Sequence, residues 1–168
     1  MNLKTQIKVL NDLKKLLKSL NSTSFTFKCD SLFGSTIGMH FRHIIEFYDC
    51  CFEQKEKGII NYDLRNRNTA LEQDINFGII TINKVIDSIH QLKHSKNENL
   101  ILVSGLNKET KNNGVETSFY RELSYCMDHC IHHQSLIKIA LLEQGLVHLI
   151  DKNFGVAFST QKYRQECA

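Results

Sequence analysis

"SFYRELSYCMDHCIHHQSLIKIALLEQG", Ser118 to Gly145, decides the fold. It reads as one uninterrupted helix, opened by Thr117 or Ser118 as N-cap and running to Gln144, with Gly145 as the C′ residue that ends it. At ~1.5 Å per residue this helix is about 40 Å long. Inside it, "HCIHHQSLI", His129 to Ile137, sets three histidines into an apolar run. Upstream, Leu100 to Val103 and Val115 to Phe119 are β-prone and flank an Asn-Asn-Gly turn signal, the pattern of a short hairpin. Before that comes a helix carrying Leu71, Ile75, Ile79, Ile82, Ile86, Ile89 and Leu92, and before that a polar connection, "NYDLRNRNT". A helix starting around "DSLFGST" continues through Ile37, Phe41, Ile44, Ile45, Tyr48 and Phe52 to Gly58. The first helix is marked by Leu3, Ile7, Leu10, Leu13, Leu17 and Leu20, spaced three or four apart, and ends near "NSTS". The tail, "FGVAFSTQKYRQECA", has no clear period. No proline interrupts any of this. The expectation is an all-α protein, one domain over residues 1–168: a four-helix bundle with a short β-hairpin between helices three and four.

Composition narrows the function classes. Among 168 residues, 21 basic and 18 acidic side chains leave a net charge of only +3, with no block of like charge, so nucleic acid is not an expected partner. Lys14, Lys15 and Lys18 fall on the polar side of the first helix, a solvated face. No stretch approaches the roughly 18 apolar residues that span a bilayer, and the N-terminus lacks a signal-peptide core, so no membrane partner is expected and the protein reads as cytoplasmic. In that compartment Cys29, Cys50, Cys51, Cys126, Cys130 and Cys167 are expected as reduced thiols, mostly filling core.

The histidines carry the chemistry. Positions four apart on a helix differ by ~40° and ~6 Å, so His129 and His133 share a face and can converge on one ion at ~2.0 to 2.1 Å. His132 is turned about 60° away from His129 and does not easily join them. A stable site needs a further ligand, and the second helix offers His40 and His43 in "IGMHFRHIIEFY". Ile44 and Phe47 flank His43 on the helix surface, which favours an inward position for it. Three histidines from two facing helices leave an open coordination position, the pattern of a catalytic rather than a closed site. Two other readings compete: histidines hydrogen-bonded in a core, and a cluster that senses pH.

Paired, "STIGMHFRHIIEFY" and "RELSYCMDHCIHHQSLI" resemble the DinB/YfiT-like superfamily of metal-dependent bundle proteins. Members carry one ligand histidine on the second helix and an HxxxH pair on the fourth, often as HxxHHRGQI; here Gln134 and Ser135 stand in place of Arg-Gly. "NYDLRNRNTALE", "TSFYREL" and "FGVAFST" resemble further segments of one branch of that family, with Phe158 where the branch usually has proline. The resemblance implies an up-down-down-up bundle and, aligned on the Ser-x-x-Gly run, His43 rather than His40 as the third ligand beside His129 and His133. It implies nickel or zinc as the ion, with iron or manganese as further candidates, and often a homodimer. Relatives include thiol-dependent transferases and isomerases using low-molecular-weight thiols such as bacillithiol or mycothiol, so a small-molecule substrate is implied, although fold analogy transfers none in particular. The competing class is a non-catalytic stress-related or interaction bundle, with a structural ion or structural histidines.

Supporting residues follow from helical position. Glu122 lies seven before His129, within ~20° of its stripe, and is a candidate general base, a partner of a ligand histidine, or a carboxylate complementing the helix dipole. Cys126 shares that stripe as core filler or as a fourth ligand. His40 and His132 can hydrogen-bond near the site or stay on the surface, with His132 expected to face a neighbouring helix. Asp63, Arg65 and Arg67 are either solvated loop charges or the border of a pocket for an acidic group. His90, His94 and His148 have no evident partner.

Overall fold

The computed structural model describes residues 3–105 and 114–167. Helix α1, Leu3–Ser19, turns its three-four leucine spacing inward, burying Leu10, Leu13 and Leu17, with Gln6 as the buried polar exception. A short helix α2, Ser22–Thr26, follows, its N-terminus closed by Asn21, which accepts from the Ser24 amide. Asp30–Leu32 then winds as a 3-10 turn and Phe33 adopts a left-handed φ of 52°, which an α-helix cannot pass through. The second long helix, α3 (Ile37–Lys55), therefore starts at the last residue of "DSLFGST": Thr36 Oγ1 accepts from the Met39 amide at 3.0 Å.

The same sharpening occurs before α4, Ile75–Gln91. Leu71 is buried but belongs to a 3-10 turn, Thr69–Glu72, and the helix is opened by Asp74, whose side chain accepts from the amides of Asn76 and Phe77. Helix α5, Phe119–Glu143, ends where Gly145 takes a φ of 70°. Its N-cap residue Ser118 makes no capping bond with its side chain; Asn97 Oδ1 accepts from the Tyr120 amide instead. A last helix, α6 (Phe158–Glu166), occupies the tail that shows no period. None of its residues is buried, so it has no apolar stripe to display. Phe158 is its first residue, a position where proline is also well tolerated.

The chain is not wholly helical. Strands β2 (Asn99–Leu102) and β3 (Val115–Ser118) pair antiparallel with Asn99 opposite Ser118 and Leu102 opposite Val115, the ladder expected of the hairpin. The Asn-Asn-Gly turn falls mainly on residues 112 and 113, outside the described residues. A third strand, β1 (Ile59–Ile60), lies parallel to β2 and is too short to leave a periodic signal. It anchors the chain leaving α3 to the sheet.

Helix α3 packs on α4 and α5, and α1 packs on the same two. Between them lies one core, with Phe25, Phe41, Tyr48, Phe119 and Leu10, Leu13, Leu16 and Leu17 of α1 fully buried. Gly38 lets the turn at 69–72 press onto α3, since a Cβ there would run into the Glu72 carbonyl oxygen. Segment 61–74 thus roofs the face of α3 that carries Glu46. Cys29, Cys50, Cys51, Cys126 and Cys130 are buried free thiols and Cys167 is exposed. No helix among the described residues is long and apolar enough to cross a membrane.

Candidate metal centre

Contacts between α3 and α5 run in opposite directions: His40 meets His133, Phe47 meets Tyr125, and Phe52 meets Phe119. This antiparallel register brings the histidines of both helices to one level. The donor atoms of His43, His129 and His133 all lie within 4.8 Å of one another, and the three rings are half-buried. Small side-chain rotations can close that span onto the ~2.0 to 2.1 Å metal–nitrogen distance.

Each ring is held differently. His129 stacks on Phe47 with centroids 4.2 Å apart, and Phe47 stacks in turn on Tyr62 at 4.8 Å. Among the described residues its buried Nε2 has no hydrogen-bond partner, a costly state for a polar atom unless a ligand satisfies it. His133 Nδ1 lies 3.0 Å from His40 Nδ1. The two nitrogens share one proton; placed on His133, it leaves His133 Nε2 free to ligate, the usual arrangement around a ligand histidine. His43 Nδ1 lies 3.3 Å from Arg65 Nη2.

Burial is the first cause of low basicity here. It pushes His43 and His129 down to about 4 and His133 to about 3, with neighbouring histidines and, for His43 and His129, Arg65 adding to the shift. His40 is lowered as well, by burial and then by His132. All three cluster rings are therefore neutral near pH 7, the form in which imidazole binds metal. The buried, unpartnered Nε2 of His129 and a set of neutral nitrogen donors fit a divalent ion.

The other sequence candidates separate clearly. His40 belongs to the cluster through His133, a role its spacing three before His43 already allowed. His132, expected against a neighbouring helix, is exposed, because its 60° offset turns it off the α3-facing stripe; its ring packs edge-on against His133 at 5.3 Å. Glu122 is fully buried one aromatic layer away. Its carboxylate accepts from Tyr62 OH at 3.0 Å, Thr117 Oγ1 at 2.6 Å and Arg121 Nη1 at 2.9 Å, and among the described residues it hydrogen-bonds no site histidine. Cys126 is core: its thiol faces the Phe47 carbonyl at 3.6 Å and Tyr62 OH at 3.7 Å, and burial raises its pKa well above normal. It is not part of the donor cluster.

Among the linker charges, Asp63 and Arg67 are exposed, Asp63 accepting from the Gly105 amide at 2.7 Å. Arg65 is drawn in: its guanidinium lies over Phe47, donates to the Tyr62 carbonyl at 2.9 Å and reaches His43. No local pattern in a loop could have announced that contact. Gln134 and Ser135, the departure from Arg-Gly, tie α5 to its surroundings: Gln134 donates to the Val9 carbonyl at 3.0 Å and Ser135 to the Gly155 carbonyl at 2.5 Å. His90 and His148 are exposed, and the side chain of His94 lies outside the described residues.

Fold and site together define a mostly helical protein with a small three-stranded sheet and a cluster of three histidines that can hold a metal ion. Among curated proteins, FK506-binding protein 5 of Rhizopus delemar is 35% identical over 109 residues, covering 62% of this chain and 27% of that protein. The match thus spans about a quarter of that relative's length. No family model matches the chain, and no solved structure matches it.

Proposed function

We propose that this chain is a DinB-like, divalent-metal-binding protein, a metalloenzyme of thiol-transferase or hydrolase type acting on a small molecule, with His43, His129 and His133 as ligands. The observation that carries the reading is the convergence of three neutral imidazoles from α3 and α5, one with its Nε2 buried and unpartnered. The packing supports the four-helix part of the proposal. α3 runs against α5, whereas Gln6 reaches Leu123 and Val9 reaches Gln134, so α1 runs with α5, as an up-down-down-up order requires.

A divalent ion there would act as a Lewis acid, lowering the pKa of a small-molecule ligand at neutral pH. The chain supplies the rest. His40 sets the tautomer of His133, Phe47 and Tyr125 wall the His129 ring, and Arg65 borders His43. Nickel and zinc both suit the all-imidazole set. An open site is favoured over a closed structural one because Cys126, the fourth ligand a closed site would recruit, has its thiol turned to Phe47 and Tyr62.

Elemental analysis of the purified protein beside a His129→Ala/His133→Ala variant tests the reading. Near-stoichiometric nickel or zinc is expected in the native protein and none in the variant, a loss beyond the ~10- to 100-fold that removing an outer partner costs. A native protein that takes up no divalent metal under replete conditions sinks the proposal. Metal uptake with no turnover in screens of thiol transfer and hydrolysis removes the enzyme part and leaves the binding part.

A further inference from the structure

Arg65 stands in a position that works against the site it borders. A guanidinium has donors only, so at 3.3 Å its Nη2 makes His43 Nδ1 an acceptor and leaves the ring's single proton on Nε2. With that proton in place Nε2 has no lone pair for an ion. Ligation through Nδ1 fares no better, since it would set the ion against the guanidinium. Whichever nitrogen is used, Arg65 has to leave His43 before the third ligand is available.

A second partner for Arg65 is already in reach. Glu46 is 4% exposed, and one of its oxygens, Oε1, accepts from the Asn68 amide at 2.9 Å. Among the described residues its other oxygen, Oε2, is buried with no hydrogen bond, and so is Nε of Arg65. These two unsatisfied atoms face each other across 3.5 Å. Closing that gap to the ~2.7 to 2.9 Å of a charge-assisted bond would satisfy both. Arg42 also reaches Glu46, at 3.5 Å, but is held more closely by Glu72 at 3.0 Å.

Resting on the metal-binding reading above, we propose that Arg65, placed between His43 and Glu46, is a latch that gives up His43 for Glu46 when the centre takes an ion. Loading moves the His43 proton from Nε2 to Nδ1 with no net proton change on the ring. The Nδ1–H then opposes the guanidinium, which swings to Glu46. Because Glu46 holds the Asn68 amide and Arg65 holds the Tyr62 carbonyl, occupancy of the centre is transmitted to the segment roofing α3. Arg65 acts through His43 and is a positioning residue.

Two measurements decide this. In the metal-free wild-type protein, 15N shifts of the His43 ring, assigned with a His43→Gln variant, are expected to report the Nε2–H tautomer; the Nδ1–H tautomer overturns the latch without recourse to any Arg65 or Glu46 variant. Zinc affinity is then measured by competition with a chromophoric chelator for wild type, Arg65→Met, Glu46→Gln and the double variant. Arg65→Met is expected to bind zinc about tenfold more tightly and Glu46→Gln several-fold more weakly. In the Arg65→Met background, Glu46→Gln is expected to change nothing, since Glu46 acts through Arg65. Simple charge effects would instead add, and additivity overturns the latch. Wild-type protein that binds no zinc overturns latch and metal centre together, whereas zinc uptake with additive variants overturns the latch alone.

Discussion

The first turn of α5 and the middle of α5 both press polar side chains against buried surroundings, and the protein treats them in opposite ways. At Glu122 three donors, from Tyr62, Thr117 and Arg121, surround a fully buried carboxylate. Seven residues on, His129 keeps a buried Nε2 with nothing to bond among the described residues, and His40 keeps another. A polar network closed by protein atoms fixes structure; one left open costs stability until something fills it. The difference marks the histidine level as the place for a ligand and the Glu122 level as its foundation. Aromatic stacking from Tyr62 through Phe47 to His129 links the two.

Removing the closed network should have the largest effect. Glu122→Ala strands the hydroxyls of Tyr62 and Thr117 and opens a void, at a cost of about 3 kcal/mol in urea denaturation. Zinc affinity of the folded variant should stay within a few-fold of wild type. A drop of more than tenfold would break the comparison and return Glu122 to the metal chemistry.

Acid should act on the open network. An unfolded histidine titrates near 6.5, while folding holds His43 and His129 at about 4 and His133 at about 3. Between those values the unfolded chain binds more protons, so the stability of the metal-free protein is complete above roughly pH 6.5 and drains as pH falls toward 4. Denaturation midpoints at pH 7.5 and pH 5 should differ clearly in wild type. The gap should shrink in His129→Leu, and an unchanged gap would assign the acid sensitivity to other groups.

At pH 7.5 the same His129→Leu variant gives a smaller and opposite signal to Glu122→Ala. It removes an unpartnered buried nitrogen, so the metal-free protein should hold its stability or gain up to about 1 kcal/mol while losing zinc. A loss of 2 kcal/mol or more would make His129 a structural residue like Glu122.

How much of this could be read beforehand depends on distance along the chain. Three-four spacing located α1, α3 and α4, and end signals located α5, because an amphipathic stripe and a cap are local properties. The HxxxH pair was legible for the same reason, and His40 was visible as a neighbour of His43 without its role being decided. Glu122 and His129 lie on one stripe and look alike along α5. What separates them is Tyr62, Thr117 and Phe47, and Tyr62 and Phe47 come from other parts of the chain. Strand β1 and the Arg65 contact were beyond reach, one being two residues long and the other a loop residue folded back onto α3.

The smallest effect tests how the entrance of α5 is capped. Ser118 is the obvious N-cap of α5 by position, but it bonds no amide with its side chain, and Asn97 caps Tyr120 from before β2 at 2.9 Å. Phe119 also gives its amide to the Glu98 carbonyl, so the helix entrance is gripped by residues 97 and 98 together. Asn97→Ala should cost about 0.5 to 1 kcal/mol, the value of a lost cap, and Ser118→Ala close to nothing. Neither should alter zinc affinity, because both act at the closed end of α5. If Ser118→Ala proves the costlier of the two, the entrance is capped locally. The foundation under the histidines would then rest on α5 itself rather than on the segment before β2.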